Sequence, residues 1–192
     1  MKWEKLLASG RFGEGLKPAN LDTVRSEFEV DYDRIIFSAP FRNLQDKTQV
    51  FPLPEQAFVH TRLTHSLEVS SVGRSLGKSA GEFLLEKYPN LQALGITSSA
   101  IGSIVAAAAL THDIGNPPFG HSGEKAIGEY FSIGNGQQFK DQLSAKQWQD
   151  LIDFEGNANG FSVLTASRPG IEGGLRISYA TLGAFMKYPK ES

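Results

Sequence analysis

The run from Ala100 to Leu110, AIGSIVAAAAL, constrains the fold more than any other stretch of the chain. Apolar or small residues occupy every side of its 3.6-residue period, so a helix built from it offers water no polar face and belongs at the centre of a domain. The run is too short to cross a bilayer, which takes roughly 20 residues. Thr97 or Ser98 opens this helix, and Ile101, Ile104, Val105, Ala108 and His112 lie along it. Gly115, Pro117 and Pro118 stop it, since proline has no N–H to continue the ladder. The chain thus builds around a buried helix whose last turn delivers His112-Asp113.

Other elements follow from the same periodicity. A long amphipathic helix is expected over 62–87, with Leu63, Leu67, Val72, Leu76, Phe83 and Leu84 as its inward stripe and Pro89 beyond its end. Shorter helices are expected over 1–9, 122–131, 145–153, 155–166 and 179–186, and helical pieces over 22–44 that break before Pro40. Residues 10–20 read as irregular, 132–143 as a polar loop and 168–174 as a loop. Residues 48–53, TQVFPL, form at most a short β-hairpin-like segment ended by prolines. No strand is strong enough to seed a sheet, so the fold class is all-α. With 192 residues the chain is one domain or the larger part of one.

Composition narrows the function classes. A net charge of −2 argues against broad electrostatic binding to nucleic acid, which remains only as a regulator. The chain has no cysteine, so disulfides, zinc-thiolate sites and thiol nucleophiles are excluded. The N-terminus, MKWEKLLASGRFGEG, is no signal peptide, and with no membrane span the expected location is cytoplasmic.

Three of the four histidines fall in two short runs, Arg62-Leu-Thr-His65-Ser and Thr111-His112-Asp113-Ile-Gly-Asn-Pro-Pro-Phe-Gly-His121-Ser-Gly-Glu124. His112 and Asp113 share a helix end, and His65 on the preceding long helix can add a second imidazole. An oxygen ligand beside imidazole nitrogens suits a divalent cation that keeps positions open for water and phosphate oxygens. A lone histidine at a helix C-terminus serves the helix dipole more often than a metal; the adjacent aspartate and the glycine-proline turn favour the metal. His121 and Glu124 are one helical turn apart. They read either as a proton carrier oriented by a carboxylate or as a capping arrangement. His60 reads as a solvated loop residue.

The set His65, His112-Asp113 resembles that of HD-domain phosphohydrolases. A closer resemblance, to bacterial deoxyguanosine-triphosphate triphosphohydrolases, runs through RSEFEVDYDRIIFS from Arg25, FRNLQDKTQVFPL from Phe41, TRLTHSLEV from Thr61, HDIGNPPFGHSGE from His112 and FEGNAN from Phe154. It covers nearly the whole chain, and implies an HD-domain helical bundle: one HD-type domain, with 1–60 as a substrate-contacting segment and 61–192 as the helical core. It implies metal ligands His65, His112 and Asp113 for one divalent ion, magnesium or manganese, and a catalytic pair His121 and Glu124. Gln49 would read the sugar 3′-hydroxyl, Arg62 would hold the triphosphate, and Arg42 and Lys47 are further substrate-binding cations. The implied reaction attacks the α-phosphate of a deoxynucleoside triphosphate, dGTP foremost, and releases deoxynucleoside and intact triphosphate. Homo-oligomers are expected.

Two departures qualify this. Some HD relatives carry a further histidine where this chain has Asn116, which argues against a second metal. The family's last metal ligand is an aspartate beyond a Tyr-Pro pair; here only three residues follow Tyr188-Pro189. Asp141, Asp150 and Asp153 lack the matching context and read as surface residues. The expectation is an N-terminal fragment or a truncated relative, with the fourth ligand absent and the 192 residues inactive or weakly active. Competing readings are an HD phosphodiesterase or nucleotidase with another phosphate substrate, and a non-catalytic nucleotide-binding or oligomerisation module.

Overall fold

The computed structural model describes residues 1–14, 25–49 and 60–187. Helices make up the ordered elements: α1 Trp3–Leu6, α2 Glu27–Ile36, α3 Ala39–Arg42, α4 Arg62–Lys87, α5 Asn90–Ala93, α6 Ser98–Thr111, α7 His121–Ser132, α8 Ala145–Ile152, α9 Gly156–Thr165 and α10 Tyr179–Phe185. Two 3₁₀ segments, Asn43–Asp46 and Asn135–Gln142, complete them. Extended pairing among the described residues is limited to the isolated bridges Arg11–Ser178, Thr48–Thr61 and Arg168–Ile171. The fold is all-α.

Helix α6 is the centre. Ala100, Ile101, Gly102, Ile104, Ala106, Ala107, Ala108, Leu110 and Thr111 are all buried, as an apolar run with no polar face requires. Its lower half joins Ile35, Phe41, Leu44, Ile114, Leu164, Ile177 and Leu182 in one core cluster. Its upper half joins Leu7, Phe28, Leu85, Leu91 and Ile96 in a second. The Thr97 side chain accepts from the Ala100 N–H and caps the helix.

Helix α4 has the expected ends but presents a different face. The buried positions are Arg62, Ser66, Ser70, Gly77, Gly81 and Leu85. Leu67, Val72, Leu76 and Phe83, expected inward, are exposed. Close packing against α6 explains the reversal. A Cβ on Gly77 would lie 3.0 Å from the Gly102 Cα, and one on Gly81 2.9 Å from the Ser98 Cα. The Ser70 hydroxyl donates to the Ala106 carbonyl at 2.9 Å. Large side chains do not fit at that backbone separation, so the small residues turn inward and the large ones are displaced outward.

The polar loop expected at 132–143 contains the second 3₁₀ segment, and α5 was not foreseen. Residues 10–14 form a turn; the rest of the segment expected to be irregular, and most of the segment at 48–53, lie outside the described residues.

Candidate metal centre

Two local devices bring the cationic and metal-type side chains together. The first is the pairing of residues 47–49 with 60–62. The Arg62 N–H donates to the Lys47 carbonyl at 2.8 Å and the Gln49 N–H to the His60 carbonyl at 3.3 Å. This pairing sets Lys47 and Gln49 beside Arg62 at the start of α4, where the Thr61 side chain caps the helix. The second is the turn after α6. Asn159 of α9 donates from Nδ2 to the Gly115 carbonyl at 2.8 Å. A Cβ on Gly115 would fall 2.1 Å from the Gly160 nitrogen, so only glycine lets α9 approach this closely.

At that turn, one ligand atom each from His65, His112 and Asp113 lies within 4.8 Å of the others. The His112 and His65 rings meet edge to face, with centroids 5.1 Å apart. His112 Nδ1 is 2.7 Å from the Ala109 carbonyl. That contact assigns the proton to Nδ1 and leaves the Nε2 lone pair for a cation. Nε2 in turn sits 3.5 Å from Asp113 Oδ2. Two imidazole nitrogens and one carboxylate oxygen, with one imidazole already fixed in the ligating tautomer, fit a divalent ion.

Asp113 is buried and both oxygens of its carboxylate are hydrogen-bonded. Oδ2 accepts from Arg62 Nη1 at 2.8 Å and from Gln49 Nε2 at 3.3 Å, and Oδ1 accepts from Asn116 Nδ2 at 2.6 Å. Lys47 Nζ donates to the Asn116 carbonyl at 2.7 Å. Burial, and then the neighbouring Arg62 charge, hold the Lys47 ammonium below its ordinary range, while Asp113 pulls the other way.

His121 opens α7, and its Nδ1 is 2.6 Å from Glu124 Oε2. The other oxygen of Glu124 accepts from the Gly156 N–H at 2.9 Å. Both residues line the same cavity of about 560 Å³ as Gln49, Arg62, His112 and Asp113, a volume in the ordinary range for small-ligand sites. Phe119, the exposed residue before Gly120, has a φ of 66° and also faces the cavity.

Lys47 and His65 do not line the cavity themselves but touch residues that do, Asn116 and His112; Arg42 lies elsewhere, its guanidinium 5.9 Å from the centre of the Phe37 ring. His60 is exposed, 3.7 Å from Glu68. Asp141, Asp150 and Asp153 are exposed as well. The cavity also takes in Asn157, Phe185 and Lys187, which sequence reasoning did not single out. Asn157 belongs to the FEGNAN run; Phe185 and Lys187, in and just after α10, carry no local signal.

Residues 62–152, which hold both histidine runs, match the HD domain family. The chain carries an HD domain. Around that domain, 190 residues are 49% identical to a deoxyguanosinetriphosphate triphosphohydrolase-like protein of Pseudomonas aeruginosa (strain UCBPP-PA14), covering 98% of this chain and 42% of that protein. A Synechocystis protein with the same description is 46% identical over 196 residues, and the deoxyguanosinetriphosphate triphosphohydrolase of Yersinia enterocolitica is 37% identical over 212. The chain spans about two-fifths of the length of these relatives, 41–43%. Both arms of the cavity, His112-Asp113 and His121-Glu124, lie inside the HD domain; Lys47 and Gln49 lie before it.

Proposed function

We propose that this chain carries the metal-binding and proton-transfer residues of a deoxynucleoside-triphosphate triphosphohydrolase. The reaction splits the substrate, dGTP foremost, into deoxynucleoside and intact triphosphate. One observation carries the reading: His112 and Asp113 of the His65–His112–Asp113 ligand group line the cavity onto which a hydrogen-bonded His121–Glu124 pair also opens. The names of the relatives supply the substrate class.

In this reading His65, His112 and Asp113 hold one magnesium or manganese ion. When bound, it supplies Lewis acidity toward phosphate oxygens and makes water a better nucleophile. Arg62 and Lys47 offset the negative charge of the phosphate chain; the planar Arg62 fork suits paired oxygens and Lys47 acts as a point charge. Glu124 fixes Nδ1 of His121 and leaves Nε2 to move a proton at the reacting α-phosphate. Gln49, released from Asp113, takes the sugar 3′-hydroxyl.

Product analysis tests the proposal. With dGTP and manganese, the protein carried to the full length of its relatives is expected to yield deoxyguanosine and inorganic triphosphate in equal amounts, its Asp113→Ala variant neither, and residues 1–192 alone little of either. Release of pyrophosphate or orthophosphate would assign a different phosphohydrolase. Nucleotide binding without any product would indicate a binding module.

A further inference from the structure

The geometry points to Asn116 as the positioning residue that sets Asp113 for the metal and ties it to the His121–Glu124 pair. This inference rests on the metal-site half of the proposed function. Resemblance assigns Asn116 no part beyond standing where some relatives carry a histidine.

Asp113 has two oxygens, and partial rotation about its last side-chain bond would turn both away from the imidazoles. Oδ2 is the one near His112 Nε2, at 3.5 Å. Asn116 Nδ2 holds the other, Oδ1, at 2.6 Å. The amide cannot be reversed, because its oxygen would then face a carboxylate oxygen. The hydrogen bond therefore fixes the plane of the carboxylate and keeps its other oxygen toward the imidazoles. A partner of this kind behind a ligating carboxylate is what gives a metal site its affinity and direction.

The far side of the same amide reaches the other half of the site. A Cβ added to Gly156 would lie 2.1 Å from Asn116 Oδ1 and 2.8 Å from Glu124 Oε1. Asn116 and Glu124 thus close over one bare glycine, and that glycine's N–H bonds Glu124 at 2.9 Å. The backbone of Asn116 takes the Lys47 ammonium at 2.7 Å. One side chain and its carbonyl accordingly touch the metal ligand, a phosphate-binding cation and the glycine that holds the proton-transfer pair. The amide oxygen is turned to Gly156, so Asn116 acts behind the ligands rather than as one of them.

The test uses Asn116→Leu, which keeps the number and branching of asparagine's heavy atoms but has no donor, with Asn116→Ala as a second variant that adds no bulk. Asn159→Ala is the control: it removes the other amide gripping this turn without touching Asp113. Binding of Mn²⁺ alone, followed by the electron-paramagnetic signal of the free ion, is expected to weaken roughly 10–100-fold in both Asn116 variants. Binding in Asn159→Ala should weaken clearly less than in either Asn116 variant. Wild-type affinity in Asn116→Leu, or equal losses in Asn116→Leu and Asn159→Ala, would overturn the inference in favour of packing or turn shape. The metal-free protein gives a separate readout. The Gln49 side-chain amide resonance reports on Asp113 Oδ2; it should move in Asn116→Leu and not in Asn159→Ala. A stationary Gln49 signal overturns the inference even if the wild type binds no Mn²⁺. Failure of the triphosphohydrolase reading would look different: no triphosphate release, with these Asn116 effects intact.

Discussion

At His121, 98% of the side chain is open to solvent, whereas only 14% of the Glu124 side chain is. The ring is thus held by a hydrogen bond to a largely shielded carboxylate and is otherwise free to meet a ligand. A group placed this way contributes mainly when a proton moves, not when substrate docks. His121→Ala is accordingly expected to lower kcat by roughly 10²–10⁴ with KM little changed. Glu124→Gln, which keeps a polar partner for Nδ1 but no charge, should show a smaller loss of the same kind. Steady-state kinetics on dGTP decides: a raised KM with kcat intact would make His121 a binding residue. Much of this was legible in the sequence because the members are neighbours, His112 beside Asp113 and His121 one turn from Glu124. Asn116 was legible only as a departure. Its contact with Gly156 spans 40 positions, and no local pattern reports a meeting of that kind.

Helix α4 shows where periodicity stops informing. Its ends could be read, from the apolar steps that begin at Leu63 and from Pro89 beyond the last turn. Its buried face could not, because burial was decided by how closely α6 approaches rather than by which side chains are most apolar. Gly77→Ala gains about 1 kcal/mol of helix propensity but sets a methyl 3.0 Å from the Gly102 backbone and the Val105 side chain. Overpacking of that kind costs about 1–3 kcal/mol, so the variant should be less stable in urea unfolding. In α10, Gly183 has nothing within 4 Å of the added carbon, and Gly183→Ala should stabilise by about 0.5–1 kcal/mol. The opposite order would refute the close α4–α6 packing. Helix α9, which carries Gly156, gives a pH test. The Glu155 carboxylate caps it, accepting from the Ala158 N–H at 2.7 Å. Partial burial alone would raise the Glu155 pKa. The hydrogen bonds from Ala158 and Asn157 outweigh that and hold it below its ordinary value of 4.5. A depressed carboxylate stabilises the fold above that ordinary value, and the contribution is lost as pH falls through the folded value. The gap in unfolding midpoint between wild type and Glu155→Gln should therefore be present at neutral pH and close in acid. A gap that persists in acid would mean that the charge is not what caps the helix.

Across the whole molecule, the fold and the site rest on separate polar networks. Asp31 of α2 is completely buried. It accepts from Arg11 Nη1 at 2.5 Å, from the Ser178 N–H and from the Thr181 hydroxyl at 2.8 Å. Burial alone would lower the Arg11 pKa; Asp31 and Glu27 together raise it above the ordinary value. This network ties residues 11, 31 and 178–181 together, and none of them lines the metal-side cavity. Asp31→Ala leaves Arg11 paired with Glu27 through Nε and Nη2 but takes the acceptor from the buried Ser178 N–H, which costs about 1–3 kcal/mol, and the melting temperature should fall accordingly. Metal acts through the other network. An ion that binds only the folded state adds about 2.7 kcal/mol at a hundredfold excess over Kd, equivalent to a rise of roughly 5–10 °C for a domain of this size. That rise should disappear in His112→Ala and persist in Asp31→Ala, although the latter starts from a lower baseline. The three ligand atoms found among the described residues leave the remaining coordination positions to water. For residues 1–192 by themselves, the Mn²⁺ concentration needed should therefore be high. A thermal-shift series against Mn²⁺ measures both quantities at once. Equal metal-induced shifts in wild type and His112→Ala would place the binding elsewhere, and loss of the shift in Asp31→Ala would show that the two networks are coupled.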